Sequence, residues 1–339
     1  MSSTRIENTQ PIFNETRCVH DRLAGASCQA CAVVCPTGAL SLGEDALELD
    51  VSACNGCMLC AAACPQEAID SQQQPVESVA LREGNTAYFA CAHSGVGKVH
   101  CSLPCVHALS WRDLLRLYGA GVRGLVVTAG DCGRCDPQTL RLDQTVLHVN
   151  EMLSSRRMRE IEVRYLESGQ FNTVIRDASA ATPVSPRRRA FLRRMVDPGH
   201  DRGEADTPAT VAALLGESDS KGAVFPAAPL IDAERCDGCD ACTRVCPTGA
   251  LALVEEQVLH YRADASRCTG CHLCVDVCEP KAISLWPWTT SPQQSIALNS
   301  QRCSACGVDY HAPTSRSDGL CTVCLATYHH RKLFQVDPV

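Results

Sequence analysis

Residues 236–247 read CDGCDACTRVCP, and the spacing of the four cysteines in this stretch recurs along the chain. Residues 54–65, CNGCMLCAAACP, give the same C-x2-C-x2-C-x3-C-P pattern. Residues 268–280, CTGCHLCVDVCEP, keep the cysteine spacing but place a glutamate before the proline. Cysteine is a rare residue, so this repeated set of intervals needs a geometric cause rather than chance.

A fourth copy, nearest the N-terminus, departs from the pattern at its first position. Cys28, Cys31 and Cys35 are in register and Pro36 follows, but the preceding cysteine is Cys18, with nine residues between. We expect these nine residues to bulge out so that Cys18 still serves as the first ligand. The four copies form two pairs, which predicts two modules of the same kind.

Thiolates spaced by two residues can surround a compact inorganic core, and the run resembles that of bacterial-type ferredoxins with two [4Fe–4S] clusters. In those ferredoxins the fourth cysteine of each run binds the other cluster of the pair, which ties the two halves together. The chain therefore resembles two ferredoxins in tandem. Zinc knuckles and disulfides are the competing interpretations of the same cysteines.

The resemblance implies four [4Fe–4S] clusters with exchanged fourth ligands. In the first module, at residues 15–72, the two ligand sets are Cys18, Cys28, Cys31 with Cys64, and Cys54, Cys57, Cys60 with Cys35. In the second module, at residues 229–288, they are Cys236, Cys239, Cys242 with Cys278, and Cys268, Cys271, Cys274 with Cys246. Such small modules bury little side-chain core, so metal ligation should supply much of their folding free energy.

The composition of the chain narrows its class. It has 25 cysteines in 339 residues, whereas secreted disulfide scaffolds are usually much shorter. The N-terminal stretch lacks the apolar core of a signal peptide, and no run of about 18 apolar residues predicts a membrane span. An aromatic content of 4% and a net charge of −7 argue against a nucleic-acid-binding surface. We therefore expect a reducing, cytoplasmic location.

Between the two modules, residues 84–168 alternate between strand and helix patterns. The predicted elements are a strand at Thr86–Ala90, a helix at Leu109–Tyr118, a strand at Gly124–Thr128, a helix from Pro137 to about Arg159, and a strand at Ile161–Leu166. This alternation predicts a small α/β domain. The expected fold class of the whole chain is α+β, with several domains.

Five cysteines of this domain follow predicted strands: Cys91, Cys101, Cys105, Cys132 and Cys135. Ligands gather at the carboxyl ends of parallel strands, so we expect a metal site there. This part of the chain resembles the delta-type subunit of methyl-viologen-reducing hydrogenases, which links its partners through a [2Fe–2S] centre. The resemblance rests on the order of four segments: YFAC, VHCSLPC, a helix, and GAGVRGLVVTAGDCGRC. The resemblance implies Cys91, Cys132, Cys135 and either Cys101 or Cys105 as ligands. The chain lacks that family's second cysteine shortly after Cys91 and its histidine after Cys135.

Two other interpretations of these cysteines stay open. Cys132 and Cys135 form a C-x-x-C pair before a predicted helix, whose N-terminus favours a thiolate, and such pairs are typical of thiol–disulfide exchange. The cysteines are alternatively ordinary buried residues. Three histidines interleave with them and receive no predicted role: His93, His100 and His107.

Residues 169–228 are rich in turn-forming residues, which predicts a linker with two short helices, at Pro186–Met195 and Thr207–Leu215. Residues 299–330 contain two C-x-x-C pairs, whose cysteines are Cys303, Cys306, Cys321 and Cys324. Four thiolates make a closed tetrahedral site for structural zinc, so we expect a zinc-ribbon-like tail. A single iron, as in rubredoxin, is the alternative.

No flavin, nicotinamide or molybdenum site accompanies the cysteine runs, so we do not expect the chain to be a catalyst by itself. The leading hypothesis is an iron–sulfur electron-transfer subunit or adaptor. It would relay electrons between a catalytic oxidoreductase and another carrier, inside a larger complex of redox proteins. The alternatives are a thiol–disulfide reductase in which the clusters feed Cys132 and Cys135, and a protein that senses or assembles clusters.

Overall fold

The computed structural model describes residues 10–43, 47–70, 76–97, 99–135, 141–180, 207–216, 222–290, 294–316 and 318–327. The chain divides into two compact units, Met1–Ala223 and Val224–Val339, and each is described by itself. Both units mix helices and strands, in agreement with an α+β protein. Within the described residues, no helix combines the length and the apolar character needed to cross a membrane.

Unit 1 begins with a small part that carries the first two cysteine runs, which we call module 1 (residues 10–70). Its strands pair antiparallel, β1 (Ile12–Phe13) with β4 (Ile69–Asp70) and β2 (Leu40–Leu42) with β3 (Leu47–Leu49). Its helices are α1 (Val19–Arg22), α2 (Ala30–Val33) and α3 (Leu59–Ala63). Helices α2 and α3 each carry the third cysteine of a run. Each stops close to the fourth cysteine, where the proline that follows disfavours further helix.

The larger part of unit 1, which we call the middle domain (residues 76–180), is built on a five-stranded sheet. Its strands are β5 (Leu81–Glu83), β6 (Thr86–Cys91), β7 (Ser102–Leu103), β8 (Gly124–Thr128) and β9 (Glu162–Tyr165). β6, β8 and β9 run parallel, β7 pairs parallel with the end of β6, and β5 lies antiparallel beside β6. Its helices are α4 (Val76–Val79), α5 (Trp111–Gly119), α6 (Leu142–Ser154) and α7 (Ser168–Ala180).

Helix α5 starts two residues later than the pattern predicts because a capping box fixes its first turn. The Ser110 hydroxyl accepts a hydrogen bond from the Asp113 N–H, and the Asp113 carboxylate accepts one from the Ser110 N–H. Its inner face is buried, with Leu114 and Leu117 at most 1% exposed. The helix is therefore fixed both at its N-terminus and along its buried face.

Other helix boundaries in unit 1 also differ from the prediction. Helix α6 begins at Leu142, and residues 136–140, where the predicted helix starts, lie outside the described part. Helix α7 occupies the beginning of the predicted linker. Of the two short helices predicted there, the basic one at Pro186–Met195 lies outside the described residues, and the other is α8 (Val211–Leu215), capped by the Thr210 hydroxyl.

Unit 2 contains two antiparallel sheets, and we call its residues 224–290 module 2. β10 (Val224–Ile231) pairs with β13 (Ile283–Thr290). β11 (Leu251–Glu255), β12 (Leu259–Ala263), β14 (Gln294–Arg302) and β15 (Asp309–Pro313) lie side by side in that order. The helices are α9 (Ala241–Val245), α10 (Leu273–Asp276) and α11 (Thr322–Thr327). The strands of the tail thus extend the β11–β12 hairpin, and β10 begins inside the predicted linker.

Candidate metal centres

The two cysteine runs of module 2 surround two cavities. The cysteines at the first cavity are Cys236, Cys239, Cys242 and Cys278. Those at the second cavity are Cys268, Cys271, Cys274 and Cys246. The last cysteine of each run therefore faces the first three cysteines of the other run, which is the arrangement that exchanged ligands require.

Three of the four runs share an uncommon backbone conformation. The glycines between their first two cysteines have φ from 73° to 79°: Gly56, Gly238 and Gly270. The residues after the second cysteine also have positive φ: Met58, Asp240 and His272. Left-handed residues in such a turn point successive N–H groups into a concavity that favours anions. In the first run, the residue after the second cysteine is Gln29. Its φ is −126°, and helix α2 begins directly after it.

In two of the runs, the fourth cysteine receives a backbone hydrogen bond from the alanine four residues later. The Ala68 N–H lies 3.3 Å from Cys64 Sγ, and the Ala282 N–H lies 3.2 Å from Cys278 Sγ. Both alanines are nearly fully buried. In these two runs, the stretch after the fourth cysteine thus supplies an N–H donor to its sulfur.

Burial keeps most of these thiols protonated in the absence of a metal. Burial, together with the charge of Cys57, raises the pKa of Cys60 to about 12. Burial and the charges of Cys236 and Cys239 raise the pKa of Cys242 to about 12. A bound cation must therefore displace protons, which links metal binding to folding.

Module 1 gathers its cysteines in the same exchanged way. One cavity is lined by Cys35 from the first run and by Cys54, Cys57 and Cys60 from the second. The remaining four cysteines lie near one another. Cys18 and Cys31 pack against the buried cluster that contains Cys64, and burial and the charges of Cys64, Cys28 and Cys18 raise the pKa of Cys31 to about 12. The displaced Cys18 is thus brought to the same place as its three predicted partners.

The nine residues after Cys18 fold into helix α1 and a turn. Val19 is 2% exposed and anchors this insertion in the interior. His20 Nε2 lies 2.8 Å from the carbonyl oxygen of Cys28, which ties the start of the insertion to its end. The insertion is therefore an ordered loop closed on itself, and it leaves Cys18 and Cys28 near each other.

In the middle domain, the structure brings four of the five predicted cysteines together. Burial and the charges of Cys91, Cys57 and Cys132 raise the pKa of Cys105 to about 12. Burial and the charges of Cys91 and Cys132 raise the pKa of Cys135. The group therefore consists of Cys91 at the end of β6, Cys105 after β7, and the C-x-x-C pair after β8.

The fifth cysteine of that prediction, Cys101, lies in a different environment. It is 1% exposed and packs with Tyr88, Val126 and Phe171. Burial alone raises its pKa to about 11, against a backbone hydrogen bond that lowers it. Of the two cysteines left open by the sequence, Cys105 is the one placed beside Cys91.

His107, to which the sequence assigned no role, lies at this group of cysteines. Its Nε2 is 3.4 Å from Cys132 Sγ, and its Nδ1 is 3.1 Å from the backbone nitrogen of Leu142 at the start of α6. Burial lowers the pKa of His107, which favours the neutral imidazole. Only its position two residues after Cys105 hinted at this placement.

Within unit 1, the four-cysteine group of the middle domain lies next to module 1. Cys105 packs with Val34 and Leu59 in a buried cluster, and Cys57 and Ala63 pack against it. Cys57 lines the cavity of the second cysteine run. A cysteine of each site thus takes part in one buried, largely apolar contact.

A buried arginine from helix α5 makes a second contact with module 1. Arg112 is 2% exposed and donates hydrogen bonds to the carbonyl oxygens of Cys64 at 3.4 Å and Pro65 at 2.8 Å. Its Nε also donates to the Ala209 carbonyl at 2.9 Å. Burial tends to raise the pKa of Glu67, but Arg112 and Arg116 outweigh it and lower that pKa. The charge of this buried guanidinium is therefore compensated by a nearby carboxylate.

The four cysteines of the tail form a tighter group than the others. The Sγ atoms of Cys303, Cys306, Cys321 and Cys324 all lie within 4.8 Å of one another. Cys306 and Cys321 are 3.7 Å apart, close to the roughly 3.8 Å edge of a tetrahedron with metal–sulfur bonds of about 2.3 Å. A hydrogen bond from the Cys321 N–H to Cys303 Sγ lowers the pKa of Cys303 to about 6. This donor set fits a single tetrahedral cation.

The tail also braces the loop that carries Cys236 and Cys239. The Tyr261 hydroxyl donates to Asp240 Oδ1 at 2.6 Å, and His311 Nε2 from β15 lies 2.8 Å from the same oxygen. Arg316 donates to the Asp237 carbonyl at 2.8 Å. A Cβ on Gly238 would lie only 2.4 Å from the His311 carbonyl oxygen, so only glycine fits this close approach.

Two family models match the chain, and both describe a 4Fe-4S dicluster domain. One covers residues 26–68 and the other residues 229–285, so together they span less than a third of the 339 residues. The prediction of two ferredoxin-type modules is confirmed. The first match begins after Cys18, which therefore lies outside the matched residues. No curated protein matches the chain.

Proposed function

We propose that this protein is an electron carrier with four [4Fe–4S] clusters that relays electrons between a catalytic oxidoreductase and another redox protein. The two dicluster domains support an iron–sulfur electron-transfer role in general. The observation that carries the specific proposal is the exchanged grouping of cysteines, with Cys35, Cys246 and Cys278 each facing the other run of their pair. That grouping fits two cubane clusters in each module.

The chain's own residues would hold and tune these centres. The buried thiols supply the ligands, and the Ala68 and Ala282 N–H groups donate to ligand sulfurs. Hydrogen bonds to sulfur and the exclusion of solvent are the main protein contributions to the potential of such a centre. When bound, the clusters supply one-electron transfer without proton or group transfer. This chemistry needs redox partners, so we place the protein in a larger oxidoreductase complex, in the cytoplasm.

We further propose a fifth redox centre, a [2Fe–2S] cluster held by Cys91, Cys105, Cys132 and Cys135. The convergence of these four cysteines supports it, and the separate burial of Cys101 favours Cys105 as the fourth ligand. The raised pKa values of Cys132 and Cys135 argue against a thiol–disulfide reductase. Thiols that take part in such exchange need a lowered pKa and access to substrate.

The packing of unit 1 also suggests an order of electron transfer. Because Cys57 packs against the buried cluster that contains Cys105, the centre of the second cysteine run would be the immediate neighbour of the middle-domain centre. Electrons would pass between these two centres within unit 1. The tail site, Cys303, Cys306, Cys321 and Cys324, would hold a structural zinc ion that fixes the loop of module 2.

Metal analysis of the full-length protein, purified without oxygen, tests these proposals together. Four cubane clusters require about 16 iron atoms per chain, and a [2Fe–2S] centre raises the count to about 18, with one zinc in the tail. A matched variant, Cys306→Ser with Cys321→Ser, should lose the zinc and keep the iron of module 1. Substoichiometric iron with several zinc atoms per chain would instead show that the runs are zinc knuckles. Disulfide turnover that Cys135→Ser abolishes would favour the reductase.

A further inference from the structure

The hydrogen bonds of His107 define its tautomer. The backbone N–H of Leu142 is directed at His107 Nδ1 at 3.1 Å. A peptide N–H is always a donor, so Nδ1 is the unprotonated acceptor and the ring proton of the neutral imidazole sits on Nε2. Nε2 lies 3.4 Å from Cys132 Sγ. The contact with Cys132 is therefore an N–H···S hydrogen bond in which the sulfur accepts.

The surroundings of this bond leave His107 as the donor to a metal-bound Cys132. His107 is 3% exposed, so bulk water has little access to its ring proton. Cys132 Sγ also lies 3.5 Å from the Gly130 carbonyl oxygen. A Cys132 thiol can give its proton to that carbonyl, but a ligand thiolate has no proton to give and needs a donor. His107 supplies one.

We propose that His107 raises the reduction potential of the centre held by Cys91, Cys105, Cys132 and Cys135, by donating its Nε2–H to the Cys132 sulfur. This inference rests on the proposed function, in which those four thiolates hold an iron–sulfur centre. Reduction adds one electron, supplied by the neighbouring cluster of the second cysteine run, and increases the negative charge on the ligand sulfurs. A donor aimed at sulfur then stabilises the reduced form more than the oxidised form. The ring proton stays on His107 throughout.

His107 also accepts the first N–H of helix α6, so its electrostatic role must be separated from this structural one. His107→Asn places an amide oxygen near the position of Nδ1, where it can accept the Leu142 N–H, but its side chain is too short to reach Cys132. His107→Gln places an amide N–H near the position of Nε2 and should restore the donor. His100→Gln, at an exposed histidine of the same domain, is the control.

The test is a redox titration of the full-length protein followed by EPR, with iron measured in parallel. We expect His107→Asn to keep its iron and to lower the equilibrium constant for reduction of the middle-domain centre by tenfold or more, where each tenfold is about 59 mV for one electron. His107→Gln should recover most of the shift, and His100→Gln should match the wild type. The iron–sulfur stretching frequencies should change in the asparagine variant alone.

An unchanged potential in His107→Asn would overturn the proposal. Equal shifts in the asparagine and glutamine variants, or loss of iron from both, would assign His107 a structural role instead. An iron count of about 16 in the wild type would refute the fifth centre itself, and the proposed tuning with it. That result is distinguishable, because it appears before any variant is compared.

Discussion

Modules 1 and 2 arrange their cysteines alike, but different neighbours support them. In module 1, the turn after Cys64 is held from outside the module by the buried guanidinium of Arg112. In module 2, the loop between Cys236 and Cys242 is held by the tail, through His311 and the close approach at Gly238. The cysteine spacing thus governs which thiols meet, whereas the stability of each module depends on a different part of the chain.

The largest expected effect concerns the irregular position of module 1. Cys18→Ser should remove or convert the cluster of Cys28, Cys31 and Cys64, lowering the iron content by up to about four atoms per chain. Cys236→Ser, at the regular position of module 2, should cause the same loss, because both cysteines are grouped with three others. Iron analysis and low-temperature EPR of the full-length protein measure both.

The control is Cys101→Ala. It removes a buried cysteine that lies outside the cysteine groups of the described structure. It should leave the iron content unchanged. If Cys18→Ser behaves like Cys101→Ala, Cys18 is not a ligand and the two modules differ in their number of clusters. The family match that begins at residue 26 would then mark the true start of the metal site.

The sequence predicts which cysteines are grouped better than it predicts the contacts that support them. Intervals of two and three residues restrict where neighbouring thiols can point, so the grouping of Cys54, Cys57 and Cys60 is visible in the sequence alone. The buried run Gly124–Thr128 is likewise a strand with the predicted ends. Arg112 and His107, by contrast, contact residues more than 20 positions away. Nothing local to Arg112 marks such a role, and the local signal at His107 is limited to its position two residues after Cys105.

The strands of the tail show a second limit of the sequence. Two C-x-x-C pairs predict a separate small ribbon. The pattern describes only the metal ligands and does not show which strands pair with the tail. In the structure, β14 pairs with β12 of module 2 through residues such as Ile296 and Tyr261. Strand pairing depends on register and on the faces that are buried, and a few residues of ordinary composition do not reveal it.

The second prediction compares two arginines. Arg112→Met should destabilise unit 1 by about 3–5 kcal/mol, because the carbonyl groups of Cys64, Pro65 and Ala209 lose their buried donor and Glu67 loses one of its two arginine partners. Arg244 pairs with Asp240 at 3.6 Å in module 2, but its side chain is 76% exposed, so Arg244→Met should cost less than about 1 kcal/mol. Urea unfolding of the holoprotein measures both. Equal effects of the two variants would show that the Arg112 contact does not hold module 1.

The smallest expected effect concerns the contact between the tail and module 2. His311→Ala removes one of the groups bonded to Asp240 and leaves the Tyr261 hydroxyl in place. We expect a loss of about 1–2 kcal/mol, below the roughly 1.5–3 kcal/mol of a buried bond to a charged group, because the His311 side chain is 20% exposed. The matched control is His260→Ala, because the ring of His260 lies 2.9 Å from the nearby Val258 carbonyl oxygen and makes a local contact on β12.

The contact between His311 and Asp240 can be tested more selectively by measuring the rate at which a chelator removes iron from each module. Since Asp240 lies between two cysteines of the first run of module 2, His311→Ala should speed iron loss from module 2 and leave module 1 at the wild-type rate. Equal acceleration in both modules would mean that the tail stabilises the chain only in a general way. The contrast between a module held by the arginine of a neighbouring helix and one held by its own C-terminal tail would then fail.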